Sequence, residues 1–141
     1  MIGAGPTGIA AALEAKTLGL DYLVLDKGCI TNSIFHFPMQ MVFFTTPELL
    51  ELGNMPLVCE REKANRNEAL KYYRKVVQAA GLSVRQYEEV VQISKNADLF
   101  HVKTIADEYR SKTIVLATGY YDNPNMMGIR GEDLPHVSHY Y

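Results

Sequence analysis

Cysteine is scarce. The chain carries two, Cys29 and Cys59, too few and too far apart for a disulfide framework, and it contains no C-x-x-C. A small secreted scaffold is thereby excluded, and a reducing, cytoplasmic setting is expected. Long apolar runs are missing as well. No stretch approaches the ~18 residues of a membrane-spanning helix, and no basic N-terminal region leads into an apolar one, so neither a membrane segment nor a secretory leader is expected. Charge of one sign is not in excess either. Fourteen Lys and Arg against 16 Asp and Glu leave a formal charge of -2, which gives no general attraction to nucleic acid or anionic lipid. The basic stretch "REKANR", Arg61–Arg66, reads as a solvated loop. The four histidines lack metal-ligand spacing, so no metal site is expected.

What is present suits an ordinary globule: 141 residues, 48% hydrophobic and 21% charged, enough for one domain with its own core. A helix is expected from about Thr7 to Leu18, with Ile9, Leu13 and Leu18 near one face and Gly19 as its stop. "DYLVLDKG" follows as a buried strand, Tyr22–Leu25. From Cys29 to about Ala64 the apolar residues show neither helical nor strand period, so this region reads as a loop that covers something. A second helix is expected over Asn67–Ala80, with Leu70, Tyr73, Val77 and Ala80 on one face and Gly81 at its end. Short strands come next, at Ser83–Tyr87, Val90–Lys95, Leu99–Thr104 and Glu108–Ser111, and then a buried strand, Thr113–Ala117, before Gly119.

The glycine spacing carries the first chemical signal. Gly3, Gly5 and Gly8 form G-x-G-x-x-G, in which Gly3 permits a tight turn, Gly5 lets the backbone approach a pyrophosphate, and Gly8 lets the helix pack closely on a strand. A helix and a strand follow, and Asp26 stands at the end of that strand, 18 residues past Gly8, close to the ~20 expected of a ribose-hydroxyl acceptor. An acceptor there would repel a 2′-phosphate, so FAD or NAD suits this loop better than NADP. Asp26 could equally be a strand-ending turn residue.

Between this βαβ unit and "ATG" at Ala117–Gly119 lie the apolar loop, one helix and a set of antiparallel strands, where an NAD-binding domain would repeat strand and helix. That order resembles the FAD-binding domain of flavoproteins with two dinucleotide-binding domains. The expected class is α/β, a Rossmann-like FAD-binding domain with a parallel sheet and an inserted antiparallel β-meander. "KGCITNSIFHFPMQMVFF", "EALKYYRKVV", "YEEVVQI" and "ATGYYDNPNMMGIRGEDLPHVSHYY" together resemble the bacillithiol disulfide reductases, thioredoxin-reductase-like flavoproteins. The resemblance implies an NADPH-dependent FAD enzyme, homo-oligomeric, acting on a small-thiol or other small-molecule substrate, with no C-x-x-C.

Carried over residue by residue, the resemblance implies that Gly3, Gly5, Pro6 and Gly8 form the pyrophosphate loop. Asp26 stands where the family usually has Glu for the adenosine ribose. Lys27, Asn32 and Ser33 match the loop passing the adenosine and flavin; Val90 matches the strand position whose backbone touches adenine; Ala117, Thr118 and Gly119 match the turn beside the cofactor. His36, in "FHFP", is a candidate for a hydrogen bond to cofactor or substrate, or else a packed loop histidine. The pairs Tyr120-Tyr121 and Tyr140-Tyr141 are candidates for stacking near a flavin, or core aromatics. Thr7 departs from the family, which has Cys at this position. A hydroxyl cannot perform disulfide exchange, but it can cap the helix or meet a phosphate. Cys29 and Cys59 have no partner at redox spacing and read as small buried hydrophobes.

The expected organisation is an FAD-binding domain over 1–119, its first strand represented only by Met1 and Ile2, and a connection over 120–141 towards an NADPH-binding domain that this chain does not contain. The expected activity is hydride transfer from NADPH to FAD and on to a disulfide or another acceptor. Alternatives are a ferredoxin- or quinone-type NADPH reductase, a flavin monooxygenase, against which the absence of F-x-G-x-x-x-H counts, and a nucleotide-binding module without turnover.

Overall fold

Ile2 is hydrogen-bonded on both sides. In the computed structural model, which describes residues 1–139, it bridges Leu25 on one flank and Leu116 on the other, both in parallel. Ile2 N donates to the Val115 carbonyl at 2.9 Å and Ala117 N to the Ile2 carbonyl at 2.8 Å. On the opposite flank, Leu25 N donates to Met1 O and Gly3 N to Leu25 O. Beyond Leu25, β1 (Val24–Leu25) pairs in parallel with β2 (Val84–Arg85), Val24 opposite Val84. Four segments therefore lie side by side in the order 84–85, 24–25, 2 and 116, with Ile2 inside the sheet.

Helix α1 (Pro6–Thr17) starts straight from the glycine loop. Pro6, whose missing N–H is no loss in the first turn, follows Gly5 as N-cap. Its alanines let it lie flat on the sheet: Ala12, with Ala4, packs on Val24, while Ile9 joins the larger core on the other side. That core belongs mainly to α3 (Arg66–Ala80), which buries Ala69, Leu70, Tyr72, Tyr73, Val76 and Val77 against Ile9, Ile34 and Leu57. A reciprocal capping box opens α3: Glu68 N donates to Asn65 Oδ1 at 3.0 Å and Asn65 N to Glu68 Oε2 at 2.8 Å. Gly81, at φ +57°, closes it in the left-handed conformation.

The meander is antiparallel: β3 (Val90–Asn96), β4 (Leu99–Thr104) and β5 (Glu108–Ser111) pair in sequence order, with Ser94 opposite His101 and His101 opposite Arg110. The class is α/β as expected, a parallel sheet with a separate three-stranded antiparallel one.

Two expectations need correction. The region from Cys29 to Ala64 is not wholly irregular: it contains α2 (Asn32–His36) and a 3₁₀ turn, Pro47–Leu49. Both are too short to reveal a 3.6-residue period. Nor does it bury all its apolar residues. Leu57 is in the core and Phe37, Phe43, Leu50 and Met55 pack against it, but Met39, Phe44, Leu49 and Val58 are more than 70% exposed. Polar contacts add to this packing on α3, as Tyr73 OH donates to Leu50 O at 3.0 Å and Tyr72 OH to Met55 O at 2.7 Å. The second correction concerns Thr113–Ala117. Among the described residues it pairs through a single bridge, to Ile2, and Leu116 is 67% exposed because it lines an open cleft.

Candidate functional site

The glycine loop and the "ATG" turn touch. A β-carbon on Gly3, whose φ is +104°, would lie 2.2 Å from the Ala117 carbonyl oxygen; one on Gly8 would lie 1.9 Å from the Gly3 carbonyl oxygen. Both positions exclude a side chain. Gly5 differs, since a β-carbon there meets nothing within 4 Å: it faces open space above the start of α1. The first intrahelical bond of α1 runs from Ile9 N to Gly5 O at 2.9 Å. The N–H groups of Thr7 and Gly8 precede it and have no acceptor within the helix. Together with the positive end of the helix they make an anion cradle beneath Gly5.

Asp26, just past β1, ties the neighbouring segments together. Its Oδ2 accepts from Ala4 N at 2.6 Å and its Oδ1 from Gly28 N at 2.8 Å. Its own N–H donates to Arg85 O at 3.0 Å, and its carbonyl accepts from Glu88 N at 2.8 Å. Thr31, buried and left-handed at φ +55°, donates its N–H to Ala4 O at 2.9 Å. Lys27 forms an ion pair with Asp122 at 2.7 Å, joining the end of β1 to the segment after "ATG".

These elements surround a cleft of about 660 Å³. Twelve sequence-predicted residues line it: Gly3, Gly5, Pro6 and Thr7 from the loop, Asp26, Lys27, Asn32 and Ser33 after β1, Val90 from β3, and Ala117, Thr118 and Gly119 from the turn. Gly8 lies buried beneath. The His36 side chain is exposed and is not among the lining groups; its ring meets Phe35 edge-on at 5.3 Å, and its carbonyl accepts from Tyr121 OH at 3.2 Å. Tyr121 also meets Phe37 edge-on at 4.9 Å and lines the cleft with Tyr120. The pair Tyr140-Tyr141 lies outside the described residues.

Thr7 does not cap α1. The N-cap is Gly5, which has no side chain to offer, and Thr7 sits within the first turn, exposed and lining the cleft. Neither cysteine lines the cleft. Cys29 is buried with its sulfur 3.7 Å from Asn32 Oδ1, and burial pushes the half-buried Cys59 thiol up.

Glu88 has no counterpart in the sequence reading. Its carboxylate is 8% exposed; Oε1 accepts from Tyr109 OH at 2.5 Å and Thr104 Oγ1 at 3.0 Å, and Arg85 approaches Oε2 at 3.6 Å. Burial, reinforced by this carboxylate, pushes the Tyr109 phenol up to about 12. The cluster locks β4 and β5 to the cleft wall at Glu88–Val90. A signal was available in the "EE" before a strand, but nothing local announces that one of the two turns inward. Among the described residues no group of three His, Cys, Asp or Glu gathers as metal ligands, and no helix is long and apolar enough to cross a membrane.

Comparison with known proteins agrees with this geometry. The chain is 42% identical over 142 residues to the bacilliredoxin reductase Bdr of Bacillus subtilis, a match covering all of this chain and 44% of that protein. It is similar in structure to the bacillithiol disulfide reductase Bdr (YpdA) from Staphylococcus aureus, with a TM-score of 0.96 and 40% identity over 99% of this chain and 43% of the other. The bacillithiol disulfide reductase Bdr (YpdA) from Bacillus cereus also gives a TM-score of 0.96, at 42% identity, over 99% of this chain and 45% of the other. The chain thus spans less than half the length of these relatives. The family model for pyridine nucleotide-disulphide oxidoreductases matches residues 1–141, and the chain belongs to that family.

Proposed function

We propose that this chain is the FAD-binding portion of an NADPH-dependent flavoprotein oxidoreductase. The observation that carries the reading is Gly5: the backbone lies open to the cleft at the one glycine of this loop with free space, at the start of α1, whose first N–H groups have no acceptor within the helix. A pyrophosphate fits that cradle by charge and by hydrogen bonding. Gly3, Pro6 and Thr7 would border the phosphates and Gly8 would keep α1 low enough to reach them. Asp26, Lys27 and Val90 would line the adenosine end, and Asn32, Ser33, Ala117, Thr118 and Gly119 the path towards the flavin.

A bound flavin would supply acceptance of a hydride and its onward transfer. The chain's own part would be placement: the loop would fix the phosphates, and Phe37 and Tyr121, which meet edge-on at 4.9 Å, would wall one end of the cleft. Residues 1–119 would form the FAD domain and 120–141 the connection to an NADPH-binding domain. The whole protein would be a cytoplasmic homo-oligomer with a small-molecule substrate.

The relatives named for disulfide reduction suggest a small disulfide as acceptor. Thr7 favours a second reading, in which electrons go to an acceptor other than a disulfide, because this chain brings no thiol to its cleft. Steady-state NADPH oxidation by the whole flavoprotein, measured with small disulfides, ferredoxin, quinones and oxygen, separates the two. Turnover that depends on a disulfide supports the first; turnover with ferredoxin or quinone alone supports the second. A whole protein that carries no flavin and oxidises no NADPH would overturn both.

A further inference from the structure

The segment that follows the "ATG" turn reaches back across the cleft. Leu25 and Leu116 flank Ile2 in the sheet, so the stretches that leave them, 26–28 and 117–119, stand on either side of the glycine loop. Two side-chain contacts join those sides. Asp122 forms its ion pair with Lys27 at 2.7 Å, and Tyr121 OH donates to the His36 carbonyl at 3.2 Å while its ring meets Phe37 edge-on. Tyr120, Tyr121, Asp122 and Asn123 all line the cleft. The backbone bond within the segment is local, from Asn123 N–H to Tyr120 O at 3.1 Å. A left-handed glycine stands on each side of it, Gly119 at φ +68° and Gly128 at φ +71°, and a β-carbon on either would meet nothing within 4 Å. Glycine at such positions lets the backbone change direction at little steric cost.

We propose that Tyr121 and Asp122 are positioning residues that strap residues 120–123 across the cleft and so slow the release of a bound dinucleotide. The proposal rests on the FAD reading and deepens it. A ligand seated over Gly5 would lie between the two sides that the strap joins, and would leave when the segment lifts. Lifting breaks an ion pair and a hydrogen bond, and each is modest because the groups are partly exposed. The strap therefore opens readily, and salt weakens its ionic half by screening. The anion cradle would set where the phosphates sit, and this segment how long they stay.

The test is the rate of FAD release from the whole flavoprotein, followed by flavin fluorescence after rapid dilution. Asp122→Asn keeps the size and removes the charge. It should speed release about two- to fivefold at low salt, and the difference from wild type should close in molar salt. Y121F/D122N should release FAD about tenfold faster than wild type at low salt, because the lost hydrogen bond adds to the lost ion pair. Tyr121→Phe keeps the ring against Phe37, so the wall of the cleft stays in place. Equal release rates in wild type, D122N and Y121F/D122N would overturn the proposal. A D122N effect that persists in molar salt would also overturn it, since a loss of local packing, unlike a loss of charge pairing, is not screened. If the double variant does not fold, D122N and Y121F taken singly give the same comparison. A wild-type protein that holds no FAD would instead refute the FAD reading itself.

Discussion

Gly8 passes so close under Gly3 that a β-carbon on Gly8 would stand 1.9 Å from the Gly3 carbonyl oxygen. The contact seats α1 against the loop and keeps its first N–H groups facing the cleft. Gly8→Ala must therefore push backbone against backbone. We expect it to lose about 3 kcal/mol or more of folding stability in urea titration, at or beyond the upper end of ordinary overpacking, together with cofactor binding.

Gly5→Ala is the contrasting case. Its φ of −74° suits any residue and no atom lies within 4 Å of the new β-carbon, so stability should stay within about 0.5 kcal/mol of wild type. The methyl group would occupy the space over the cradle, and FAD affinity should fall about tenfold or more, as for a 1–3 kcal/mol overpacking penalty. Equal stability with undiminished FAD binding would show that the cradle does not hold phosphate.

Tyr73 supplies a pH prediction. It is almost fully buried, and burial pushes its phenol up to about 12; in the unfolded chain it ionises near 10. The unfolded state therefore gives up its proton first. The contribution is whole below pH 10 and is lost as pH rises from 10 to 12, at about 1.4 kcal/mol per pH unit at most. Tyr73→Phe should flatten this alkaline slope in denaturation curves, and at pH 7 should cost about 1 kcal/mol for the lost bond to Leu50 O.

The Glu88–Tyr109 contact is tested spectroscopically. Glu88→Gln removes the negative charge that reinforces the raised phenol, so ultraviolet titration should show the Tyr109 ionisation moving down towards the ordinary value. Tyr109→Phe identifies which phenol moved. No movement would mean that Glu88 does not face Tyr109 in solution.

The Lys27–Asp122 pair is half exposed on the lysine side, so a double-mutant cycle with Lys27→Met and Asp122→Asn should give a coupling of only about 0.2–1 kcal/mol. It should shrink further in molar salt, where screening is strong.

Much of this arrangement was legible in the sequence because local rules agreed with the global fold. β4 and β5 lie where the turn residues around 96–98 and 106–108 put them, and α1 and α3 start one residue earlier than their apolar spacing suggested. The cleft followed from the glycine spacing and the "ATG" turn, since both are backbone features that sequence records as missing side chains. Side-chain partners were not legible. Asp26 and Ala4 are 22 residues apart, and which donor an acidic residue meets depends on a strand register that no local pattern encodes. The inward turn of Glu88 and the exposure of Leu116 depend likewise on what packs beside them, and α2 is too short to declare itself.

If the cleft over Gly5 holds FAD, the whole protein should carry it. The most direct test is the flavin content of the whole protein purified without added cofactor, read as the ratio of flavin to protein absorbance and repeated after titration with FAD. About one FAD per chain is expected for wild type, with a clear deficit in Gly5→Ala at equal thermal stability. A folded wild-type protein that carries no flavin and takes up none on titration would show that this cleft is not an FAD site.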